Sequence, residues 1–276
     1  MQTDLTASIN QSGFLPLSQG NVFLHTQVAK TTSATILLPP FAEEMNKTRH
    51  LLSATMRGLA AAGQSCFMLD NYGTGDSAGD LDSASAVIWR EDLLALLKVL
   101  KAEGYQQLSF IAVRFGALQL FDLLNQPELP LPVTRLILWQ PMFDVTKFWQ
   151  QFARIKVAEA MATGVKLSQA ELEQQLLAGE AVEIAGYPIS QAFYQSLPEL
   201  QSAIPPQLAQ CQLSWFETSQ LDAVGLPVQK KLEQLQQVTA VNFVQLKAEP
   251  YWQTTELARA DELIALTIQQ FSRGDA

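Results

Sequence analysis

The stretch that decides the fold is "FIAVRFGALQLF", residues 110–121, in which an apolar, strand-like run passes into a helix almost without a loop. Ala112 and Gly116 are small residues that stand two positions before and two positions after Arg114. A tight turn between a strand and a helix requires small residues at these two positions, because the helix packs closely against its own strand. The sequence therefore predicts a sharp elbow with Arg114 at its tip.

Elbows of this kind carry a nucleophile at the tip, and Arg114 cannot serve as one. A guanidinium group stays protonated and does not attack a carbonyl. The histidine base is expected after the last strand, but "KAEPYWQ" (247–253) contains none, and the chain's two histidines lie far earlier, in the first strand and the first helix. Glu217 or Asp222 fits the position of the acid, which then has no imidazole to orient. We therefore expect no serine-triad catalysis at this elbow.

A literal G-x-S-x-G pattern occurs elsewhere, in "GDSAG" at residues 75–79, with Ser77 at its centre. The preceding strand ends several residues earlier and the next helix begins several residues later. A loop this rich in glycine and aspartate is typical of a structural turn. Ser77 is therefore interpreted as a turn residue, and a catalytic role for Ser77 with His50, or for Asp76, is the weaker alternative.

Strands and helices alternate along most of the chain, which is typical of βαβ units. Strands are predicted at 21–29, 34–40, 65–70, 107–113, 133–139, 211–217 and 240–247, and helices at 47–63, 84–104, 115–124, near 223–237 and near 254–272. Residues 144–206 interrupt this alternation with mostly helical sequence and no clear strand. The prediction is an α/β fold with a mainly parallel sheet and helices on both faces. Residues 1–143 and 207–276 would form the core, and residues 144–206 a helical cap.

Composition excludes several classes of protein. The net charge of −9, without a basic stripe, argues against nucleic-acid binding. The two cysteines, Cys66 and Cys211, each lie in an apolar run and are predicted to be buried, reduced thiols. The opening "MQTDLTASINQSG" lacks the pattern of a signal peptide, and no uncharged apolar run approaches the ~20 residues that span a bilayer. We expect a soluble, cytoplasmic protein without a transmembrane segment.

Several longer stretches resemble one family. They are "PPFAEEMNKTRHLL" (39–52), "LDNYGTGDSAGD" (69–80), "WREDL" (89–93), "LWQPMFDVTKFWQQFARIKVAEAM" (138–161), "AGYPIS" (185–190) and "EPYWQTTEL" (249–257). Over nearly its full length the sequence resembles the exosortase A system-associated hydrolase 2 family of the α/β-hydrolase superfamily. This resemblance implies an α/β-hydrolase fold and an association with exopolysaccharide biosynthesis and exosortase/PEP-CTERM protein sorting. It also implies that arginine is usual at this elbow.

The charged loop at residues 39–47 is predicted to lie beside the elbow. A buried arginine needs a partner, so Glu43 or Glu44 is expected to make a bidentate contact with Arg114. Arg114, together with the amides at the start of helix 115–124, would then bind an anion such as a carboxylate, a phosphate or a uronic-acid-like sugar. The predicted ligand-binding residues are Arg114, Phe115, Phe41, Glu43, Glu44, Trp139 and Trp252.

Trp139 and Trp252 are included in this set because the carboxyl ends of parallel strands border the ligand crevice. No metal ion or cofactor is expected. Two other functions stay open at this point. The ion pair could fill the site of a non-catalytic accessory protein that contacts the exopolysaccharide machinery. An unconventional hydrolase of ester, thioester or glycan-linked acyl substrates could use Ser77, Asp76 or a carboxylate-activated water.

Overall fold

A computed structural model describes residues 9–254 and 256–272, so the first eight residues of the opening stretch lie outside it. The strands are β1 Gly13–Leu17, β2 Gly20–Gln27, β3 Ser33–Leu38, β4 Ser65–Leu69, β5 Gln107–Val113, β6 Val133–Trp139, β7 Val182–Ile184, β8 Tyr187–Ile189, β9 Gln212–Ser219 and β10 Val241–Lys247. Eight of them form one sheet in the order β1-β2-β4-β3-β5-β6-β9-β10. From β4 to β10 all neighbours are parallel, whereas β1, β2 and β4 pair antiparallel at one edge. The predicted mainly parallel sheet is confirmed.

Helices of the described chain flank this sheet on both faces, and three more lie in the segment between β6 and β9. They are α1 Glu43–Ala61, α2 Ala86–Ala102, α3 Gly116–Leu124, α4 Val145–Ala162, α5 Gln169–Leu177, α6 Gln191–Ser196, α7 Leu226–Gln236 and α8 Asp261–Ser272. None of the helices within residues 9–254 and 256–272 combines the length and the apolar composition that crossing a membrane requires.

The segment between β6 and β9 contains α4, α5 and α6, as the helical pattern predicted. The expectation that it holds no strand is wrong, because β7 and β8 form an antiparallel hairpin there. Ala185, at a φ of 53°, and Gly186, at 82°, make the two-residue turn. Two consecutive residues with positive φ are typical of the hairpin turn whose twist matches that of the strands it joins.

The side chains of each central strand alternate between two apolar layers. On β5, Phe110 and Ala112 face the layer under α2 and α3, whereas Ile111 and Val113 face the layer under α1 and α8. A third cluster lies at the carboxyl edge of the sheet, where the segment between β6 and β9 packs onto Phe41 and Phe115. Cys66 and Cys211 are buried and unpaired, as predicted.

Candidate functional site

The elbow after β5 has the backbone geometry that its sequence predicts. Arg114 has a φ of 53°, a conformation that non-glycine residues rarely adopt. Its N–H donates to the carbonyl oxygen of Trp139 over 3.0 Å, so the ladder with β6 continues up to the tip. A Cβ atom on Gly116 would lie 2.2 Å from the carbonyl oxygen of Leu38, so only glycine fits there. The turn thus directs the side chain of Arg114 toward the carboxyl edge of the sheet.

Glu44, in the first turn of α1, is the partner of Arg114. Its carboxylate accepts hydrogen bonds from Nε at 3.1 and 3.3 Å and from Nη2 at 2.9 Å. The guanidinium side chain is only 11% exposed and the carboxylate 28%. The prediction that one of two adjacent glutamates pairs with Arg114 is confirmed for Glu44. Glu43 instead is exposed and accepts from the amide of Asn46 at 3.2 Å.

Aromatic side chains from the segment after β10 cover the other face of Arg114. The guanidinium carbon lies 4.6 Å from the centre of the Trp252 ring, within the range of a cation–π contact. Tyr251 packs edge-on against Trp252, with ring centres 4.9 Å apart. Among the described residues, neither the hydroxyl of Tyr251 nor the indole N–H of Trp252 finds a hydrogen-bond partner. Burial raises the pKa of Tyr251, although the nearby charge of Arg114 opposes this shift.

Glu217 on β9 occupies the position that the sequence assigned to an acid. It is 5% exposed and accepts a hydrogen bond from the indole N–H of Trp215 at 2.8 Å. Burial raises the pKa of this carboxyl to about 7, against the opposing effects of that hydrogen bond and of Arg114. Asp222, the alternative acid, is exposed and pairs with Lys247 at 2.7 Å.

A cleft of about 630 Å³ opens beside Arg114. Glu43 and Glu44 line it together with six large apolar side chains, those of Phe41, Met142, Phe148, Phe152, Ile155 and Trp252. Phe148 and Phe152 come from α4, one helical turn apart, and are not among the ligand-binding residues predicted from the sequence. Their i,i+4 aromatic spacing at the start of the interrupting segment is the signal that could have found them.

Two of the predicted ligand-binding residues do not line this cleft. Trp139 is fully buried in the apolar layer under α1 and α8, where its indole N–H donates to the hydroxyl of Thr267 at 2.9 Å. The prediction for Trp139 is therefore wrong. Phe115 is 1% exposed and lies behind the wall, with its ring centre 4.5 Å from that of Phe148.

Ser77 and His50 are not brought together. The hydroxyl of Ser77 donates to the carbonyl of Asp70 at 2.5 Å and accepts from the N–H of Phe23 at 2.8 Å, so it ties a loop to β2 and β4. The ring of His50 instead contacts the carbonyl oxygen of Ala258 at 2.7 Å. The postulated dyad is wrong.

Asp76 is 67% exposed and lies 3.7 Å from Arg49. The other histidine, His25, contacts that same arginine, and burial followed by the charge of Arg49 lowers its pKa. In residues 9–254 and 256–272 no cluster of three or more histidine, cysteine or acidic side chains could hold a metal ion.

Solved structures match this chain, whereas family models and curated proteins do not. No family model matches the sequence. No curated protein matches it either.

Solved structures match over nearly the whole length. Est1E from Butyrivibrio proteoclasticus with bound ferulic acid is 13% identical over 91% of this chain and 94% of its own, with a TM-score of 0.63. Alpha/beta hydrolase domain-containing protein 10 from mouse is 15% identical over 95% of this chain and 97% of its own, with a TM-score of 0.56. An alpha-beta serine hydrolase homologue from Coxiella burnetii is 15% identical over 95% of this chain and 98% of its own, with a TM-score of 0.53. Together with the sheet order and the elbow, these likenesses establish that the chain has the α/β-hydrolase fold.

Proposed function

We propose that this protein binds an organic anion in the cleft beside Arg114 and does not hydrolyse esters through a serine triad. The observation that carries the proposal is the presence of a permanently charged guanidinium at the tip of the elbow, at the mouth of a cleft of about 630 Å³. The rest of the site supports the same reading, because neither histidine of the chain lines the cleft.

Arg114 retains hydrogen-bonding capacity for a ligand. Its bonds to Glu44 use Nε and Nη2, and no acceptor in the described part of the chain is bonded to Nη1. The N–H groups at the start of α3 lie at the same elbow and favour negative charge. A carboxylate or phosphate placed there would receive charge-assisted hydrogen bonds in a poorly solvated site.

The size and lining of the cleft indicate a small amphiphilic ligand. Its volume lies in the range of about 300–1,000 Å³ that is usual for small-molecule sites. Six large apolar side chains line it, so the ligand would carry an apolar or aromatic portion next to its anionic group. Ferulic acid, which the neighbouring structure of Est1E contains, has this chemistry and makes a suitable probe.

We further propose that the natural ligand belongs to a cytoplasmic step of exopolysaccharide biosynthesis or exosortase/PEP-CTERM sorting, for example a uronic-acid-like sugar. The sequence resemblance supports this setting. A second function, that of a non-catalytic accessory partner of the exopolysaccharide machinery, is favoured by one observation. The Glu44 carboxylate already neutralises Arg114 without any ligand.

Binding of ferulate and of galacturonate, measured by calorimetry and by thermal shift, tests the proposal. We expect wild-type protein to bind at least one of them. Arg114→Gln should weaken this binding at least tenfold, whereas Arg57→Gln, at an exposed arginine of α1, should leave it unchanged. The double variant Arg114→Gln/Glu44→Gln controls for the unpaired carboxylate. Binding unaffected by Arg114→Gln, or a stable acyl adduct on any serine after fluorophosphonate or ester treatment, would refute the proposal.

A further inference from the structure

A second groove, of about 460 Å³, adjoins the first cleft. It lies between the start of α4 and the first turns of α7, and Pro141, Phe143 and Val228 supply part of its apolar surface. Arg114, Met142 and Gln151 line both cavities, so the two spaces meet at the elbow.

The charges that line this groove have the opposite sign to the charge of the whole molecule. Lys147, Lys230, Lys231 and Arg114 face it, and Asp144 is the single acidic residue among its lining residues in the described chain. The protein carries a net charge of −9, so a local excess of cations at a cavity is not a consequence of overall composition. A concave surface with one sign of charge concentrates ligands of the other sign.

Lys231 is held in the groove without a carboxylate partner. Its ammonium nitrogen lies 4.8 Å from the centre of the Phe143 ring and 5.7 Å from that of Phe121. Burial lowers the pKa of Lys231, and the charge of Asp144 only partly opposes this. No acidic side chain in residues 9–254 and 256–272 forms an ion pair with Lys231 or Lys230, and Lys147 reaches Asp144 only at 3.9 Å. A partly desolvated cation in this state is stabilised by a bound anion.

We propose that this groove binds a phosphate group, and that the ligand of the Arg114 cleft is therefore a phosphorylated organic molecule. Ammonium groups act as point charges that surround a tetrahedral phosphate without the planar geometry that a carboxylate–guanidinium pair requires. The groove and the apolar cleft meet at Arg114, so one ligand can place its phosphate among the lysines and its organic portion against the aromatic wall. This second statement rests on the proposed function, whereas phosphate binding in the groove does not.

Calorimetric titration with inorganic pyrophosphate and with dodecyl phosphate, below its micellar concentration, tests the proposal. The variant Lys147→Gln/Lys231→Gln removes two groove cations. The matched control Lys98→Gln/Lys101→Gln removes two exposed cations of α2, a helix that lines neither cavity. We expect the groove variant to weaken binding of both ligands at least tenfold and the control to change it less than about twofold.

Inorganic phosphate, titrated in the same way, is the comparison for dodecyl phosphate. The phosphorylated amphiphile is expected to bind more tightly than inorganic phosphate, because its chain enters the apolar cleft. Equal affinities would refute a ligand that spans both cavities. Absence of pyrophosphate binding to the wild type, or equal weakening by the control variant, would refute the phosphate site itself.

A second test uses the wild-type protein, so its result does not depend on whether the groove variant folds. Pyrophosphate should slow reductive methylation of Lys147 and Lys230 but not of Lys98, as read by mass spectrometry, and equal rates would contradict the proposal. Ferulate binding reports separately on the Arg114 cleft. Loss of one response with retention of the other therefore identifies which of the two proposals fails.

Discussion

The ion pair between Arg114 and Glu44 is expected to contribute a measurable coupling to stability, although most surface pairs do not. The two side chains are 11% and 28% exposed, and three hydrogen bonds of 2.9 to 3.3 Å join them. Glu44→Gln would leave a guanidinium in a largely buried position, with Trp252 as its main remaining contact. Arg114→Gln would leave the carboxylate unpaired. The double variant Arg114→Gln/Glu44→Gln removes both charges.

The size of this coupling free energy can be worked out from the distance between the two charges. Two unit charges about 3 Å apart attract each other by about 5 kcal/mol at the effective dielectric constant of about 20 that suits partly buried sites. Loss of hydration on forming the pair offsets a large part of this attraction. We therefore expect a coupling free energy of about 2 kcal/mol between the two positions.

A double-mutant cycle measures this coupling. The free energies of unfolding of the wild type, both single variants and the double variant are obtained by urea denaturation at pH 7. The pair Lys247–Asp222 is the matched control: its nitrogen–oxygen distance is 2.7 Å, but its side chains are 71% and 88% exposed. We expect the cycle at this exposed pair to give less than about 0.5 kcal/mol. A coupling equally small at Arg114 and Glu44 would refute the argument that burial makes their pair strong.

Four further predictions concern Glu44, Asp92, Gly116 and Ser77. Glu44→Gln should tighten ferulate binding by at least about threefold in calorimetry, because the amide no longer competes with the ligand for Arg114. Burial, with a smaller effect of a neighbouring glutamate, raises the pKa of Asp92 from 3.8 to about 7, so the folded state holds this proton more tightly than the unfolded chain does. This carboxyl alone should therefore lower stability by about 3 kcal/mol from pH 4 to pH 7, and Asp92→Asn should remove its share of the slope in urea denaturation across this range. Gly116→Ala should cost about 3 kcal/mol in the same assay at pH 7, because its Cβ would lie 2.2 Å from a backbone oxygen. Ser77→Ala should lower stability by about 1–2 kcal/mol, through two lost hydrogen bonds to the backbone, and leave ferulate affinity unchanged.

The elbow could be predicted from the sequence because the tight turn restricts which residues can stand on either side of Arg114. Glycine is needed at position 116 by contact with the neighbouring strand, and this steric demand leaves a trace in the residues themselves. The partner of Arg114 could be narrowed only to two adjacent glutamates. Glu43 and Glu44 differ by about 100° around α1, and the sequence does not give the orientation of that helix relative to the elbow.

The sequence also does not predict on which face of the sheet the side chain of Trp139 lies, and the reason here is different. Leu136, Ile137, Leu138 and Trp139 are all buried, because β6 lies in the middle of a sheet covered on both faces. A strand of this kind lacks the alternation of polar and apolar residues that would reveal which side chains share a face. The hairpin of β7 and β8 escaped prediction because each of its strands has only three residues. The grouping of the groove lysines was not predicted either, because they lie on two helices separated by about 80 residues of sequence.

The backbone at Arg114 also bears on why a cation stands at the tip. A φ of 53° disfavours any side chain with a Cβ atom, by roughly 1 kcal/mol, and glycine would remove this cost. The conformation persists because its neighbours enforce it: the N–H of Arg114 bonds to Trp139 and its carbonyl accepts from Met142 at 3.1 Å. The side chain must therefore project into the space where the two cavities meet. A group held this way, and unable to lose its proton, can orient and neutralise a ligand but cannot attack one. The geometry that presents a nucleophile in a hydrolase thus serves here, on our proposal, to present a fixed positive charge.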